Sequence, residues 1–121
     1  MSLRAYTRKN GGIAVIELDG TIVLGESIGL LRDTIAKALA KGHMGLLLDL
    51  EGVSYIDSSG LGELVSCNGL ARSRGATLKL VHLQKKIQGL MQITKLITVF
   101  ETFEDELEAV HSFGAADSAN A

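Results

Sequence analysis

Apolar positions along the chain recur at two spacings, every second residue in some stretches and every three to four in others. At the start, this pattern predicts two short strands, Arg4–Lys9 and Ile13–Leu18. The turn between them, Asn10-Gly11-Gly12, is typical of a hairpin because Asn and Gly tolerate positive φ. A second turn at Asp19-Gly20 and a further strand at Thr21–Leu24 are predicted next.

Helical spacing begins at Glu26 and continues to Lys41, where Gly42 supplies a stop. Leu46–Leu50 is a continuous apolar run between Gly45 and Gly52, which is typical of a central parallel strand covered on both faces. The remaining pattern predicts three more helices and two more strands. In chain order these are a helix from Leu61 to near Gly75, a strand at Thr77–His82, a helix at Gln84–Thr94, a strand at Thr98–Glu101, and a helix capped by Thr102.

The apolar faces of these helices follow from the same spacing. Each set is predicted to point into the core: Ile28, Leu31, Ile35 and Leu39 in the first helix, Leu61, Leu64, Val65 and Ala71 in the second, and Ile87, Leu90 and Met91 in the third. Leu70 falls off the second face and is either a scattered surface leucine or a partner contact.

Alternation of strands and helices indicates the α/β class. We expect one domain over residues 1–113, with a mixed, mostly parallel central sheet, an antiparallel N-terminal hairpin and about four flanking helices. Residues 114–121 are small and polar, and are predicted to form a disordered tail.

Composition narrows the classes of function. The 121 residues carry a net charge of -2 with no basic block, which disfavours nucleic-acid binding. Cys67 is the only cysteine, so a reducing compartment is compatible. No apolar run approaches the roughly 20 residues that span a bilayer, and the beginning does not resemble a secretion signal. We therefore expect a cytoplasmic protein that does not enter a membrane.

One segment, Val53–Gly62, differs from its surroundings because it places Asp57, Ser58 and Ser59 directly before a glycine-rich helix start. Free N–H groups and the helix dipole favour an anion there, so a phosphate on a serine would be tolerated. Capping alone explains these residues nearly as well, although with Ser59 as the cap the third helical position is Gly62, so no capping box is formed. Gly62 inside the helix start suggests that something approaches the backbone closely.

The run Leu48–Leu64, with its Asp-Ser-Ser-Gly-Leu-Gly core, strongly resembles the signature of the STAS family, and within it the bacterial anti-sigma factor antagonists. The resemblance extends to Val15–Leu24, Ala76–Leu80 and Lys95–Glu101. It implies that Ser58 is phosphorylated by a partner, an anti-sigma factor that is itself a serine kinase and binds the ATP. Unmodified antagonist would bind this partner and free a sigma factor, and a phosphatase would reset the phosphorylated form.

By the same resemblance, the residues that contact the partner form one continuous segment. They are Asp57, Ser58, Ser59, Gly60, Leu61, Gly62 and Glu63. Two departures from relatives affect this surface. Thr21, Ile22 and Val23 follow Gly20 where many relatives have an acidic residue, and Glu63 stands where several are apolar.

The sequence gives little indication of metal binding, a reactive cysteine or enzyme activity. His43, His82 and His111 show no metal-ligand spacing, Cys67 is expected to be a buried apolar residue, and no metal or cofactor is expected. The segment around Ser58 is not a hydrolase nucleophile elbow, so we expect no enzyme. The alternative function is that of an unphosphorylated STAS scaffold or adaptor subunit in a signalling or lipid-transport complex. The oligomeric state stays open.

Overall fold

A five-stranded mixed sheet forms the centre of the computed structural model, which describes residues 2–114. The strands are β1 (Leu3–Asn10), β2 (Ile13–Ile22), β3 (Gly45–Ile56), β4 (Thr77–Val81) and β5 (Thr102–Phe103), and they lie side by side in chain order. The first two strands pair antiparallel and all later neighbours pair parallel. The predicted fold class is therefore confirmed.

Within residues 2–114 the chain also forms four α-helices and one 3-10 turn. They are α1 (Glu26–Ala40), α2 (Ser58–Ser73), α3 (Lys85–Ile93), the 3-10 turn Leu96–Thr98, and α4 (Glu106–Ser112). Helices α1, α2 and α3 cover one face of the sheet, where they share a core with the inward residues of β2, β3 and β4. Helix α4 covers a smaller core on the opposite face. Because β3 is buried on both faces, it has the continuous apolar run seen in the sequence.

The N-terminal hairpin is confirmed, but its second strand runs further than predicted. Gly11 and Gly12 have φ values of 58° and 88°, as the tight turn requires. Asp19-Gly20 is not a turn: β2 continues to Ile22, with irregular pairing to β3 near Gly20. Gly20, at φ 124°, forms a kink within the strand, so Thr21 and Ile22 extend β2 instead of starting a new strand. β3 likewise continues through Gly52 to Ile56.

Two predictions near the end of the chain are wrong. Residues 98–101 do not form the last strand, because Lys95 adopts a left-handed φ of 63° and leads into the 3-10 turn. The chain pairs with β4 only at the next two residues, Thr102 and Phe103, which form β5. Thr102 lies in β5 and does not cap α4; Asp105 does, through its carboxylate, which accepts the Glu108 N–H at 2.9 Å. The predicted tail lies outside the described residues except for Gly114.

Polar contacts hold α4 against the sheet. Arg8 of the hairpin donates two hydrogen bonds to the Glu106 carboxylate, and Asn10 donates a third, at 2.7 Å. These bonds, Arg8 above all, lower the pKa of Glu106 to about 2. Lys79 is buried in β4, where its ammonium donates to Ser112 at 2.9 Å and lies 4.7 Å from the centre of the Phe113 ring. These contacts anchor α4 to the face of the sheet opposite helices α1, α2 and α3.

Candidate switch site at the start of the second helix

Asp57 organises the segment between β3 and α2. Its backbone is extended and its side chain caps α2, with one carboxylate oxygen accepting the Gly60 N–H at 2.8 Å. The other oxygen accepts the Leu24 N–H of the β2–α1 loop at 3.0 Å. Both bonds, the one from Leu24 first, hold the pKa of Asp57 below its usual value. Asp57, not Ser59, is therefore the helix cap, and it also joins two loops.

Ser58 is the first residue of α2 and is exposed. Its hydroxyl makes no hydrogen bond with the part of the chain that the structure describes, since Asp57 already caps the helix. Ser59 beside it is half-buried. A free hydroxyl at the positive end of a 16-residue helix can accept a phosphate without breaking an existing contact.

The two glycines of the segment have opposite environments. Gly60 is buried, and a Cβ added there would lie 2.1 Å from the Ile22 carbonyl oxygen and 2.9 Å from Ile56 Cγ2. Gly62 is exposed, and a Cβ there would meet nothing within 4 Å. The residue that the fold requires to be glycine is therefore Gly60. The close approach expected at Gly62 has no source within residues 2–114.

Glu63 and Leu61 point inward. Leu61 is buried in the main core. Glu63 is only 8% exposed, and Arg32 of α1 donates to both of its carboxylate oxygens, at 2.8 and 3.1 Å. The same guanidinium also donates to Ser66. The Glu63 charge is thus balanced inside the protein and links α1 to the second turn of α2.

The remaining face of α2 differs in detail from the predicted one. Val65 is exposed, whereas Cys67 and Asn68 are buried. Burial first, and then Glu63, raises the pKa of the Cys67 thiol to about 12, as expected for an unreactive buried cysteine. Leu70 is half-buried and packs against the main core, so it is not a fully free surface leucine.

Sequence spacing gave no sign that His82 has acidic neighbours. Its Nδ1 lies 3.1 Å from Asp49 and 3.6 Å from Glu51, and one candidate ligand atom from each of the three residues falls within 4.8 Å of the others. Parallel pairing of β3 and β4 brings them together. The hydrogen bond between His82 and Asp49 is enough to explain why these three side chains lie together, without a bound metal ion.

Leu24 is the site residue that the pattern missed. The residue is 76% exposed, and its N–H donates the hydrogen bond that Asp57 accepts. The spacing placed Leu24 at the end of a strand, and no local signal could reveal a bond to a residue 33 positions away. The candidate surface therefore includes the β2–α1 loop together with Ser58.

A replacement at Asp57 should reveal both of its roles. We expect Asp57→Ala to lower Tm by several degrees, since it removes the α2 cap and releases Leu24. Asp105→Ala is the matched control because Asp105 caps α4 and, within residues 2–114, accepts no side-chain hydrogen bond from a second loop. Thermal unfolding with amide hydrogen exchange at Leu24 checks this. Equal exchange at Leu24 in both variants would contradict the linking role of Asp57.

The chain also resembles known proteins. The STAS domain model matches residues 4–109. The anti-sigma-B factor antagonist of Bacillus subtilis (strain 168) is 29% identical over 101 residues, which cover 84% of this chain and 91% of that protein.

Among the helices within residues 2–114, none has both the length and the hydrophobicity that a membrane span requires.

Solved structures share the fold. A candidate anti-sigma factor antagonist from Thermotoga maritima has a TM-score of 0.80 at 21% identity, covering 89% of this chain and 92% of that one. The phosphorylated form of SpoIIAA, a cell fate determinant of Bacillus, has a TM-score of 0.68 at 18% identity, covering 92% of this chain and 100% of that one. With the family model matched over most of its length, this chain belongs to the STAS domain family.

Proposed function

We propose that this chain is an anti-sigma factor antagonist: it binds a kinase-type anti-sigma factor, frees a sigma factor, and is switched off by phosphorylation of Ser58. The observation that carries the proposal is the free, exposed hydroxyl of Ser58 at the positive end of α2. The name of the Bacillus subtilis relative, an anti-sigma-B factor antagonist, supports the role. A relative in the fold, SpoIIAA, is known in a phosphorylated form.

The mechanism depends on where the charge is added. A phosphoserine carries about −1.5 to −2 charges at neutral pH. At Ser58 it would lie at the positive end of the α2 dipole, beside the intact Asp57 cap, so the protein itself would remain folded. A partner docked over this point would instead have to bury that charge. The phosphate therefore acts on the interface, with Asp57 and Gly60 keeping the turn in the same shape.

The partner supplies the rest of the chemistry. ATP is bound by the anti-sigma factor, whose kinase activity transfers the phosphoryl group to the Ser58 oxygen, and a phosphatase later hydrolyses the ester. These steps take place in the cytoplasm. The chain itself contributes a substrate hydroxyl and a docking surface.

Intact mass after incubation with the cognate anti-sigma factor and ATP tests the modification. We expect the wild type to gain the mass of one phosphate, Ser58→Ala to gain none, and Ser59→Ala to behave like the wild type. Ser59 is the control because it is the neighbouring hydroxyl and is half-buried. If the wild type binds the partner but is never modified, the scaffold role replaces the switch.

A further inference from the structure

An apolar groove lies beside Ser58, between the start of α2 and helix α3. It encloses about 660 Å³ and opens to solvent. Ser58 lies on its rim together with Lys85 and Lys86, and apolar side chains form much of its wall. The groove is thus continuous with the surface that the proposed switch uses.

Two large apolar side chains of the groove are exposed in the free protein. Tyr55 is 52% exposed and Ile93 is 82% exposed, although both line the same groove. Single exposed apolar residues are common, but two beside a preformed groove are typical of a surface that a partner covers.

Helix α3 also begins with an unfavourable charge pattern. Lys85 and Lys86 occupy its first turn, where the helix dipole is positive and acidic residues would stabilise it. Neither lysine forms an ion pair with an acid among residues 2–114. Within residues 2–114 these two charges therefore make no stabilising ion pair. They are suited to pair with acidic groups of a binding partner.

Gly89 is a third residue that destabilises helix α3. It lies inside α3, where glycine is less stable than alanine, yet a Cβ at this position would meet no atom of residues 2–114 within 4 Å. Since Gly89 also lines the groove, its missing side chain leaves the helix backbone open to close approach from outside.

We infer that this groove binds a segment of the partner protein that carries an apolar side chain next to acidic residues. The apolar side chain fills the wall formed near Tyr55 and Ile93, and the acidic groups meet Lys85 and Lys86. A phosphate on Ser58 would repel those acidic groups and compete for the same lysines. This inference rests on the proposed function, because it names the chemistry of the same partner.

Removing the two lysine charges tests the inference. We expect the double variant Lys85→Gln with Lys86→Gln to bind the cognate anti-sigma factor at least about tenfold more weakly than wild type, with a flatter dependence on salt. Its Tm should stay the same or rise, since the clash with the helix dipole is removed. Titration calorimetry at two salt concentrations, with thermal unfolding, measures all three quantities.

A matched control is available on α1. Lys37→Gln with Lys41→Gln removes the same charge from a separate groove between β1 and α1, so its affinity should change less than about twofold. Equal effects of the two double variants, or none from either, would overturn the inference while leaving the proposed function in place. If the wild type does not bind the anti-sigma factor at all, the proposed function fails, and the inference fails with it.

Discussion

Alanine at position 60 should lower the free energy of unfolding by about 3 kcal/mol, the largest stability change expected for a single methyl group in this site. The added Cβ would lie 2.1 Å from the Ile22 carbonyl oxygen, a distance that no side-chain rotation can relieve. The end of β2 and the first turn of α2 would have to separate, which would also disturb the Asp57 cap. Chemical denaturation of Gly60→Ala against wild type measures the loss.

Gly62→Ala is the control for this result. It places the same methyl group two residues later on the same helix, where no atom of the described part of the chain lies within 4 Å. We expect it to raise stability by about 0.5–1 kcal/mol, because alanine favours the helix. A similar loss of stability in both variants would contradict this account. It would mean that any added methyl group in the first turns of α2 is destabilising, and that the contact with the Ile22 carbonyl is not the cause.

Phosphorylation of Ser58 should lower affinity for the anti-sigma factor about a thousandfold, or about 4 kcal/mol. Leaving one buried charge without a partner at an interface has a cost of this size. Titration calorimetry with unmodified and stoichiometrically phosphorylated protein measures the difference. The phosphorylated protein should retain its thermal transition, because Ser58 makes no side-chain bond to the described residues that the phosphate would break. A phosphorylated protein that binds as tightly as the unmodified one would contradict the proposed interface.

The sequence pattern predicted the fold where local physics decides it. The Gly11-Gly12 turn, the helical spacing of α1 and the apolar run of β3 each depend on near neighbours. Glycine in the middle of a strand was harder to interpret, since Gly20 and Gly52 resemble turn residues but lie in irregular stretches of β2 and β3. Strand β5 could not be located from the pattern, because its two residues are fixed by pairing with β4.

In the candidate site, too, only the features that depend on neighbouring residues could be predicted from the sequence. Ser58 is predicted as the modified residue from its motif, and its place before a helix fits that prediction; both signals are local. The bond from Leu24 to Asp57 and the pairing of Arg32 with Glu63 join residues 33 and 31 positions apart, so only the folded chain reveals them. Gly60 and Gly62 are alike in sequence, and only the position of the Ile22 carbonyl separates their roles.

Release of the sigma factor is the most direct test of the central claim. The cognate anti-sigma factor is first bound to its labelled sigma factor, and this chain is then added unmodified, phosphorylated on Ser58, or phosphorylated and then treated with a phosphatase. We predict that the unmodified and the treated proteins displace the sigma factor, and that the phosphorylated protein does not. Equal displacement by all three forms, or by none, would contradict the claim that Ser58 is the switch.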